Sequence, residues 1–438
     1  MKAWAWLAVS VFFKRIEVID SENLDTHGPA IIAANHSNAL ADVGVILGKL
    51  PGLPRFLAAG SWWKVAPARW LFRMAGAVPV YRRRDGGGAD QNASAFEACH
   101  AALADGAHLA IFPEGETHLE PKLLPLKTGA ARIALGAAHD AAVKGITIVP
   151  VGLVYEDRGR FRSHVALQVG QPIHVDEWTD RYHIDPTAAV RDATKLLTAR
   201  LAAVSVNHDS SDEATIVERA AAFTIYAGGE CEGDAQFAQR NALRHALASA
   251  IARAGGPASP EYGKLTAAVQ AHIRDLERLG MEHADVAGGL MPSVDRRNLR
   301  VELAMLTPLA ALGAVCNAPV ALGAKFLSWR VKHEVWQATT KGVGATLLCP
   351  VVWAFDFAIL NRRFGRRRAL GITATGAFGG LAWIAWHERW TRSRALTWLE
   401  RNAEEALTAA RQSREVVRAQ VTALVGASAP SPAASRAT

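Results

Sequence analysis

The stretch Ala30-Ile-Ile-Ala-Ala-Asn-His-Ser-Asn-Ala-Leu-Ala-Asp42 runs from an apolar segment through polar residues into helical spacing. Its first five residues have the length and composition of a buried strand, and a helix is predicted near residues 38–49. The same succession of a strand and a helix recurs along residues 1–205. Strands are predicted at 16–20, 30–34, 55–58, 77–81, 108–112, 146–153 and 164–169. This alternation predicts an α/β fold with a mostly parallel sheet flanked by helices.

The composition suits a protein that works at a membrane. Of the 438 residues, 50% are hydrophobic and 21% are charged, and 49 Lys+Arg against 41 Asp+Glu give a net charge of +8. These values exclude a disordered chain, a collagen-like repeat and a small disulfide scaffold. The cysteines form no CxxC pair, as expected for a reducing compartment. A basic, apolar chain fits an anionic bilayer, with nucleic acid as the alternative partner.

Five regions are predicted along the chain. They are an α/β domain at 1–205, a helical insertion or bridging region at 206–300, a membrane-embedded helical region at 301–390, an amphipathic helix at 391–426 and a disordered tail at 427–438. The N-terminal helix of the first region, which carries two Trp, is predicted to lie in the membrane interface. A first helix that packs on the core is the alternative.

Three uncharged or nearly uncharged runs lie in the membrane-embedded region, at Pro308–Ala324, Gly342–Leu360 and Ala369–Trp386. Each approaches the roughly 20 residues that cross hydrocarbon, so three full spans, a shallow hairpin set or buried soluble helices are the options. The arginine-rich segment Asn361–Arg368 is predicted to be a cytoplasmic loop. Asp356 is either a functional intramembrane acid or a residue at the end of a shorter helix.

His36 and Asp42 form the first candidate catalytic pair. An imidazole can take a proton from an alcohol while a carboxylate holds the productive tautomer. Positions i and i+6 of one continuous helix lie about 120° apart around the axis and would not face each other. The pairing therefore requires His36 in the strand-to-helix turn and Asp42 in the first helical turns. A polar cap after a strand is the alternative interpretation.

Three further segments are of interest. Two of them place polar residues at the end of a predicted strand, and the third is itself a strand. Gly76-Ala-Val-Pro-Val-Tyr-Arg-Arg-Arg84 delivers guanidinium groups, which suit phosphate. Ile111-Phe-Pro-Glu-Gly115 turns tightly, presents its Glu at the sheet edge and leads to a helix N-terminus near Lys127, a candidate anion site. The buried strand Ile148–Tyr155 carries an embedded Pro-x-Gly.

Other chemistries lack their motifs. No Gly-x-Ser-x-Gly elbow is present, so a serine hydrolase has no nucleophile. Gly86–Gly88 continues into neither a P-loop nor a dinucleotide motif. His333-Glu334 and His387-Glu388 lack the second His of a zinc site. The basic residues form no aromatic-interleaved face, which argues against nucleic acid.

In this order and at these separations, the four segments resemble the motifs of the glycerophospholipid acyltransferase family, which includes glycerol-3-phosphate and lysophosphatidate acyltransferases. His36 and Asp42 match its His-to-Asp catalytic motif, and Arg82 matches its Gly-x-x-x-Val-x-Arg block. Phe112–Gly115 matches its Phe-Pro-Glu-Gly block, and Val149–Val151 its fourth block. The resemblance covers much of the first half of the chain.

Two departures from the family pattern are present. Five residues rather than four separate His36 from Asp42, and Glu116-Thr117-His118 stands where the family has an Arg. Both departures are similar to a branch resembling the glycerol-3-phosphate/dihydroxyacetone-phosphate acyltransferases, which also has a helical, apolar C-terminal half. The candidates to replace the missing Arg at a phosphate are Arg82, Arg83 and Lys127.

The resemblance implies a membrane-bound O-acyltransferase of phospholipid biosynthesis. It would move an acyl group from acyl-CoA or acyl carrier protein to glycerol 3-phosphate or lysophosphatidate, with His36 as general base oriented by Asp42. The implied substrate-binding residues are Arg82, Arg83, Glu114, Gly115, Thr117, His118, Lys127 and Pro150. No metal, resident cofactor or nucleic-acid partner is expected, and the catalytic domain is expected on the cytoplasmic face of the membrane. Another lysolipid acceptor and a non-catalytic membrane-binding module are the alternatives.

Overall fold

The computed structural model describes residues 2–24, 28–64, 69, 72–73, 76–81, 89–159, 161–205, 207–208, 210–225, 234–279, 292–331, 337–401 and 404–426. The chain forms two compact units, Met1–Asn207 with Val331–Gly342, and His208–Arg330 with Val343–Thr438. The predicted boundary after residue 205 lies beside this division. The regions predicted separately between 206 and 426 fall in the second unit, apart from residues 331–342. The predicted tail, 427–438, lies outside the described residues.

The first unit is built on an eight-stranded sheet within the described part of the chain. Its strands are β1 Arg15–Ile19, β2 Ala30–Ala34, β3 Arg55–Ala59, β4 Val78–Val80, β5 Leu109–Ile111, β6 Thr147–Tyr155, β7 His164–Val169 and β8 Ile173–His174. Their order is β1-β7-β6-β2-β5-β3-β4, with β8 beside β6. Pairing is parallel except between β6 and β7 and between β6 and β8. The predicted mostly parallel α/β fold is confirmed.

Strand β2 lies in the middle of the sheet with apolar layers on both faces. The helices of this unit are α1 Lys2–Phe12, α2 Ala39–Lys49, α3 Ala89–Ala104, α4 Gly129–Asp140, α5 Thr179–Ile184 and α6 Pro186–Val204. Ile31 and Ala33 belong to a core with residues of α3, α4 and α6, and Ala30 and Ile32 to a second core with residues of α1 and α2. A strand buried on both faces needs the continuous apolar run that the sequence shows.

Helix α1 packs against α2. Val9 and Phe12 are buried, and a Cβ at Gly48 would lie only 3.1 Å from Trp6 Cα, so the two helices approach closely. Trp6 and Leu7 remain exposed on the other side of α1. The core-packing alternative is therefore correct for one face of α1, and the interfacial position of the exposed face stays a prediction.

The second unit is helical throughout its described residues. Its helices are α7 Ser211–Ile225, α8 Asp234–Arg253, α9 Pro260–Leu279, α10 Pro292–Arg330, α11 Gln337–Phe364, whose first residues belong to the first unit, α12 Arg366–Arg401 and α13 Glu404–Val425. Helices α7, α8, α9 and α13 enclose an apolar core. Inside it, burial lowers the pKa of His272 to about 4, so its neutral ring hydrogen-bonds Ser413 Oγ at 2.9 Å.

Three helices are long and apolar enough to cross a membrane: Arg297–Arg330, Thr339–Phe364 and Arg366–Thr391. At most 22% of the apolar segment of each is buried, which is compatible with membrane association. The predicted arginine-rich loop is wrong. Helix α11 continues to Phe364 and α12 begins at Arg366, with only Gly365, at φ +77°, between them. Because α11 runs on past Asp356, the alternative of a helix ending there is also wrong.

Helices α10 and α12 pack antiparallel at backbone contact. Trp386 Nε1 donates to Thr307 Oγ1 at 3.0 Å, and Asn317 Nδ2 donates to the Gly376 carbonyl at 2.9 Å. Between these bonds, a Cβ on Gly313 would overlap the carbonyl of Gly379. Small residues that let helix backbones touch are the usual device of helix packing in membranes.

Candidate active site

The residues that follow β2, β5 and β6 meet at one edge of the sheet, because these neighbouring strands are parallel. Asn35 extends the pairing of β2 with β6 beyond the end of β2. Its Nδ2 donates to the Leu153 carbonyl at 3.1 Å, and its Oδ1 accepts from Leu153 N at 2.6 Å. The side-chain amide thus replaces a peptide group and brings Tyr155 to the same edge as His36.

His36 and Asp42 are brought together as the pairing requires. His36 Nδ1 lies 2.9 Å from Asp42 Oδ2, which also accepts the backbone N–H groups of Ser37 and Asn38 at 2.9 and 2.7 Å. His36 lies in the turn after β2, and Asp42 lies in the first turn of α2. Ala39 adopts a left-handed φ of +45°, a conformation that costs about 1–2 kcal/mol and lets the turn close.

The network around Asp42 defines the tautomer of His36. An ionised carboxylate only accepts hydrogen bonds, so Nδ1 carries the proton and Nε2 keeps its lone pair. The His36 ring stacks on Phe112 with centroids 3.9 Å apart, which holds its orientation. The His36 side chain is 16% exposed and that of Asp42 is 0% exposed. The His36 ring is therefore accessible from solvent, while the Asp42 carboxylate is not.

Tyr155 completes the support of Asp42 and was not identified from the sequence. Its hydroxyl donates to Asp42 Oδ1 at 2.5 Å. Burial, reinforced by the charge and the hydrogen bond of Asp42, raises the pKa of Tyr155 well above its usual value, so the phenol stays protonated. The available signal was topological, since Tyr155 ends the strand next to β2.

Glu114 forms a second buried imidazole–carboxylate pair. Its Oε1 accepts His36 N at 2.8 Å, and its Oε2 accepts both Leu124 N at 2.9 Å and the Nε2 of His118. His118 N in turn lies 3.3 Å from the His36 carbonyl oxygen. His118 Nδ1 is buried and has no hydrogen-bond partner among the described residues. The turn after β5 thus places a second imidazole beside the first.

Lys127 lies against the same turn. Its backbone N–H donates to the Pro113 carbonyl at 2.8 Å, and its side chain crosses Gly115, where a Cβ would overlap Nζ. Gly115 has φ +75°, so both its backbone and its lack of a side chain are needed here. Thr117, which lies between Glu116 and His118 in the sequence, is half-buried.

The remaining predicted site residues lie elsewhere. Pro150 is buried within β6 opposite Ala33, and Arg82 and Arg83 lie outside the described residues. Their substrate roles stay predictions. In the ranges that the structure describes, no cluster of three or more His, Cys, Asp or Glu could hold a metal ion.

Thr339 caps the helix that carries Asp42, although it lies 299 residues away from its partner. Its Oγ1 accepts Leu40 N at 3.2 Å. Asn38, at the N-cap position, makes no side-chain cap, and its Nδ2 donates to the Arg158 carbonyl at 3.0 Å. No local sequence signal indicates such a contact.

His36 thus presents an imidazole that is held by a buried carboxylate at the carboxyl edge of a parallel sheet. Residues 15–154 match the Acyltransferase family model, so this part of the chain is an acyltransferase-family domain. The family resemblance inferred from the four motifs is thereby confirmed.

Curated relatives agree with this assignment. Glycerol-3-phosphate O-acyltransferase 2 of Saccharomyces cerevisiae is 38% identical over 111 residues, which are 25% of this chain and 15% of the yeast protein. The chloroplastic 1-acyl-sn-glycerol-3-phosphate acyltransferase BAT2 of Brassica napus is 27% identical over 154 residues, 35% of this chain and 41% of that protein. The chain thus matches less than half the length of either relative.

Among solved structures, the 1-acyl-sn-glycerophosphate (LPA) acyltransferase of Thermotoga maritima is similar, with a TM-score of 0.32 and 22% identity. The match covers 45% of this chain and 78% of that one.

Proposed function

We propose that this protein is a membrane-bound O-acyltransferase that moves a fatty acyl group from a thioester donor to glycerol 3-phosphate or lysophosphatidate. The observation that carries the proposal is the 2.9 Å contact of His36 Nδ1 with the fully buried Asp42, in a domain of the acyltransferase family. The names of the relatives supply the two acceptors.

His36 acts as the general base in this mechanism. Its Nε2 takes the proton of the acceptor hydroxyl as the oxygen attacks the thioester carbonyl, and Asp42 stabilises the imidazolium that forms. The tetrahedral intermediate collapses to the ester and expels the thiolate. The thiolate takes the proton back from His36, which restores the neutral base.

The acceptor is held by the turn after β5 in this proposal. His118 Nδ1 offers a buried lone pair to an acceptor hydroxyl, and Lys127 supplies a positive charge beside Gly115. Glu114 hydrogen-bonds both His118 and the His36 backbone, so its role is to position these two residues. Acyl-CoA or acyl carrier protein serves as the donor.

The proposal places the protein at the cytoplasmic face of a membrane. Three apolar helices support the membrane association. The exposed arginines around Gly365, such as Arg363 and Arg366, support the orientation, because basic residues flanking membrane helices favour the cytoplasmic side.

A product assay tests the reaction. The purified protein is given one labelled acyl-CoA, or labelled acyl carrier protein, with glycerol 3-phosphate, with 1-oleoyl lysophosphatidate or with another lysolipid. We expect labelled lysophosphatidate from the first acceptor or labelled phosphatidate from the second, separated by thin-layer chromatography. Protein that transfers label only to other lysolipids supports the alternative acceptor class, and protein that transfers none supports a non-catalytic module.

Tyr155→Phe tests how Asp42 is positioned. Loss of a hydrogen bond to a charged group removes about 1.5–3 kcal/mol, so we expect kcat to fall about tenfold to a hundredfold. The KM values for donor and acceptor should change little, since the Tyr155 hydroxyl is engaged by Asp42. Tyr182→Phe on α5 is the matched control. A Tyr155→Phe protein with wild-type kcat would contradict the positioning role.

A further inference from the structure

Arg158 lies in the turn between β6 and β7, and this turn is held to the active site. Asn38, whose backbone N–H binds Asp42, donates its Nδ2 to the Arg158 carbonyl at 3.0 Å. Lys341 Nζ donates to the next carbonyl, that of Gly159, at 2.9 Å. The backbone of Arg158 is therefore anchored beside the residue that orients the catalytic carboxylate.

The strands that precede Arg158 and Arg82 in the sequence lie at different distances from β2. Arg158 follows β6, which pairs directly with β2, the strand that precedes His36. Arg82 follows β4, which is separated from β2 by β5 and β3. With strands about 4.8 Å apart, β4 lies about 14 Å from β2, whereas β6 is its immediate neighbour.

The positive charge of Arg158 interacts electrostatically with Asp42 and Glu114, two carboxylates whose oxygens are already engaged. Asp42 Oδ2 accepts three hydrogen bonds and Oδ1 accepts one from Tyr155, while Glu114 accepts one bond at Oε1 and two at Oε2. Among the described residues, no side chain pairs with the Arg158 guanidinium.

Arg158 therefore carries a positive charge beside the site that no described side chain pairs with directly. Burial lowers the pKa of Arg158, and the charges of Asp42 and Glu114 act in the opposite direction. Arginine stays protonated in proteins, so a half-buried positive charge remains. A guanidinium presents a rigid fork of N–H donors that matches the oxygens of a phosphate.

We propose that Arg158 binds the phosphomonoester of the acyl acceptor. The guanidinium takes over the role of the arginine that the family carries after Phe-Pro-Glu-Gly and that this chain replaces with Glu116-Thr117-His118. The inference rests on the proposed function, since it assigns the acceptor's charged group to a residue of the same site. It reaches beyond that function by assigning the phosphate contact to the β6–β7 turn.

Kinetics of Arg158→Gln test the contact. A charge-assisted hydrogen bond is worth about 1.5–3 kcal/mol, so we expect the KM for glycerol 3-phosphate, or for lysophosphatidate, to rise about tenfold to a hundredfold. The kcat should stay within about threefold, because the base is untouched, and that value also shows that the variant is folded. Arg158→Lys should recover part of the affinity. Arg191→Gln, which removes an exposed guanidinium of α6, is the matched control.

A chemical measurement completes the test without relying on turnover. Phenylglyoxal modifies accessible arginines, and peptide mass spectrometry reports the modified fraction at Arg158 in the wild-type protein. We expect glycerol 3-phosphate and inorganic phosphate to protect Arg158, and glycerol at the same concentration to leave it reactive. Equal modification with and without phosphate, or an unchanged KM in Arg158→Gln, would overturn the inference. If the wild-type protein acylates neither acceptor, the proposed function fails instead, while protection still reports on the phosphate site.

Discussion

Replacing His36 with alanine is expected to lower the rate of acyl transfer by about 10²–10⁴-fold, the usual contribution of a positioned general base. Tyr155 cannot replace this base, because its phenol stays protonated and donates its hydrogen bond to Asp42. The loss should appear in kcat, measured with saturating labelled donor and acceptor in membranes or detergent.

The control for this experiment is His174→Ala. His174 lies exposed on the short edge strand β8, so its removal should leave the rate unchanged. His36→Gln adds a variant that fills more of the space over Phe112, and it should be as inactive as His36→Ala. Transfer by His36→Ala at the wild-type rate would refute the general-base mechanism.

Asp42→Asn is a less clean test of the same pair. Asp42 Oδ2 accepts N–H groups from Ser37, Asn38 and His36. An amide would turn an N–H donor towards some of these donors, so the turn itself would be disturbed. Loss of activity in this variant would mix catalytic and structural effects, which is why His36 and Tyr155 carry the argument.

Gly313→Ala should break the packing of α10 on α12. The added methyl group would overlap the Gly379 carbonyl, and the contact is reciprocal, because a Cβ on Gly379 would lie 2.8 Å from Gly313 Cα. Neither partner is a flexible side chain, so the helices must separate. Overpacking of this kind costs about 1–3 kcal/mol. We expect the Tm of the protein in detergent to fall by about 2–12 °C, at about 2–4 °C per kcal/mol for a unit of 150–250 residues.

Gly371→Ala is the matched control on α12. A Cβ at Gly371 meets no atom within 4 Å, so the same substitution adds no overlap. Its Tm should stay near the wild-type value or rise, because alanine favours the helix. Equal Tm values for the Gly313 and Gly371 variants would show that the close helix contact does not contribute to stability.

Much of the fold follows from local pattern. The run Ala30–Ala34 could be recognised as a central strand because both faces of β2 are covered, which leaves no polar position. The polar residues after strands pointed to the site, because parallel strands place their carboxyl ends at one edge. The prediction of a loop at the arginine-rich segment around Gly365 was wrong, because one glycine with a positive φ can join two helices without a loop.

The geometry of the His36–Asp42 pair could not be predicted from the local sequence pattern alone. Their separation in the chain predicts that they would not face each other on one helix. The left-handed φ of Ala39 and the bonds of Asp42 to two backbone N–H groups close the turn between them. His36 and Asp42 can meet because these backbone hydrogen bonds offset the strain of the left-handed residue Ala39.

Composition and motif order were enough to indicate the class of protein, seven of the eight described strands and a candidate His36–Asp42 pair, because periodicity, turn chemistry and side-chain chemistry are properties of short segments. The residues that support the pair were decided by tertiary structure. Tyr155 reaches Asp42, Arg158 reaches Asn38 just before the helix of Asp42, and Thr339 reaches the helix itself, from 113 to 299 positions along the chain. Such contacts depend on strand order and on the return of a distant segment, and no short stretch of sequence encodes either.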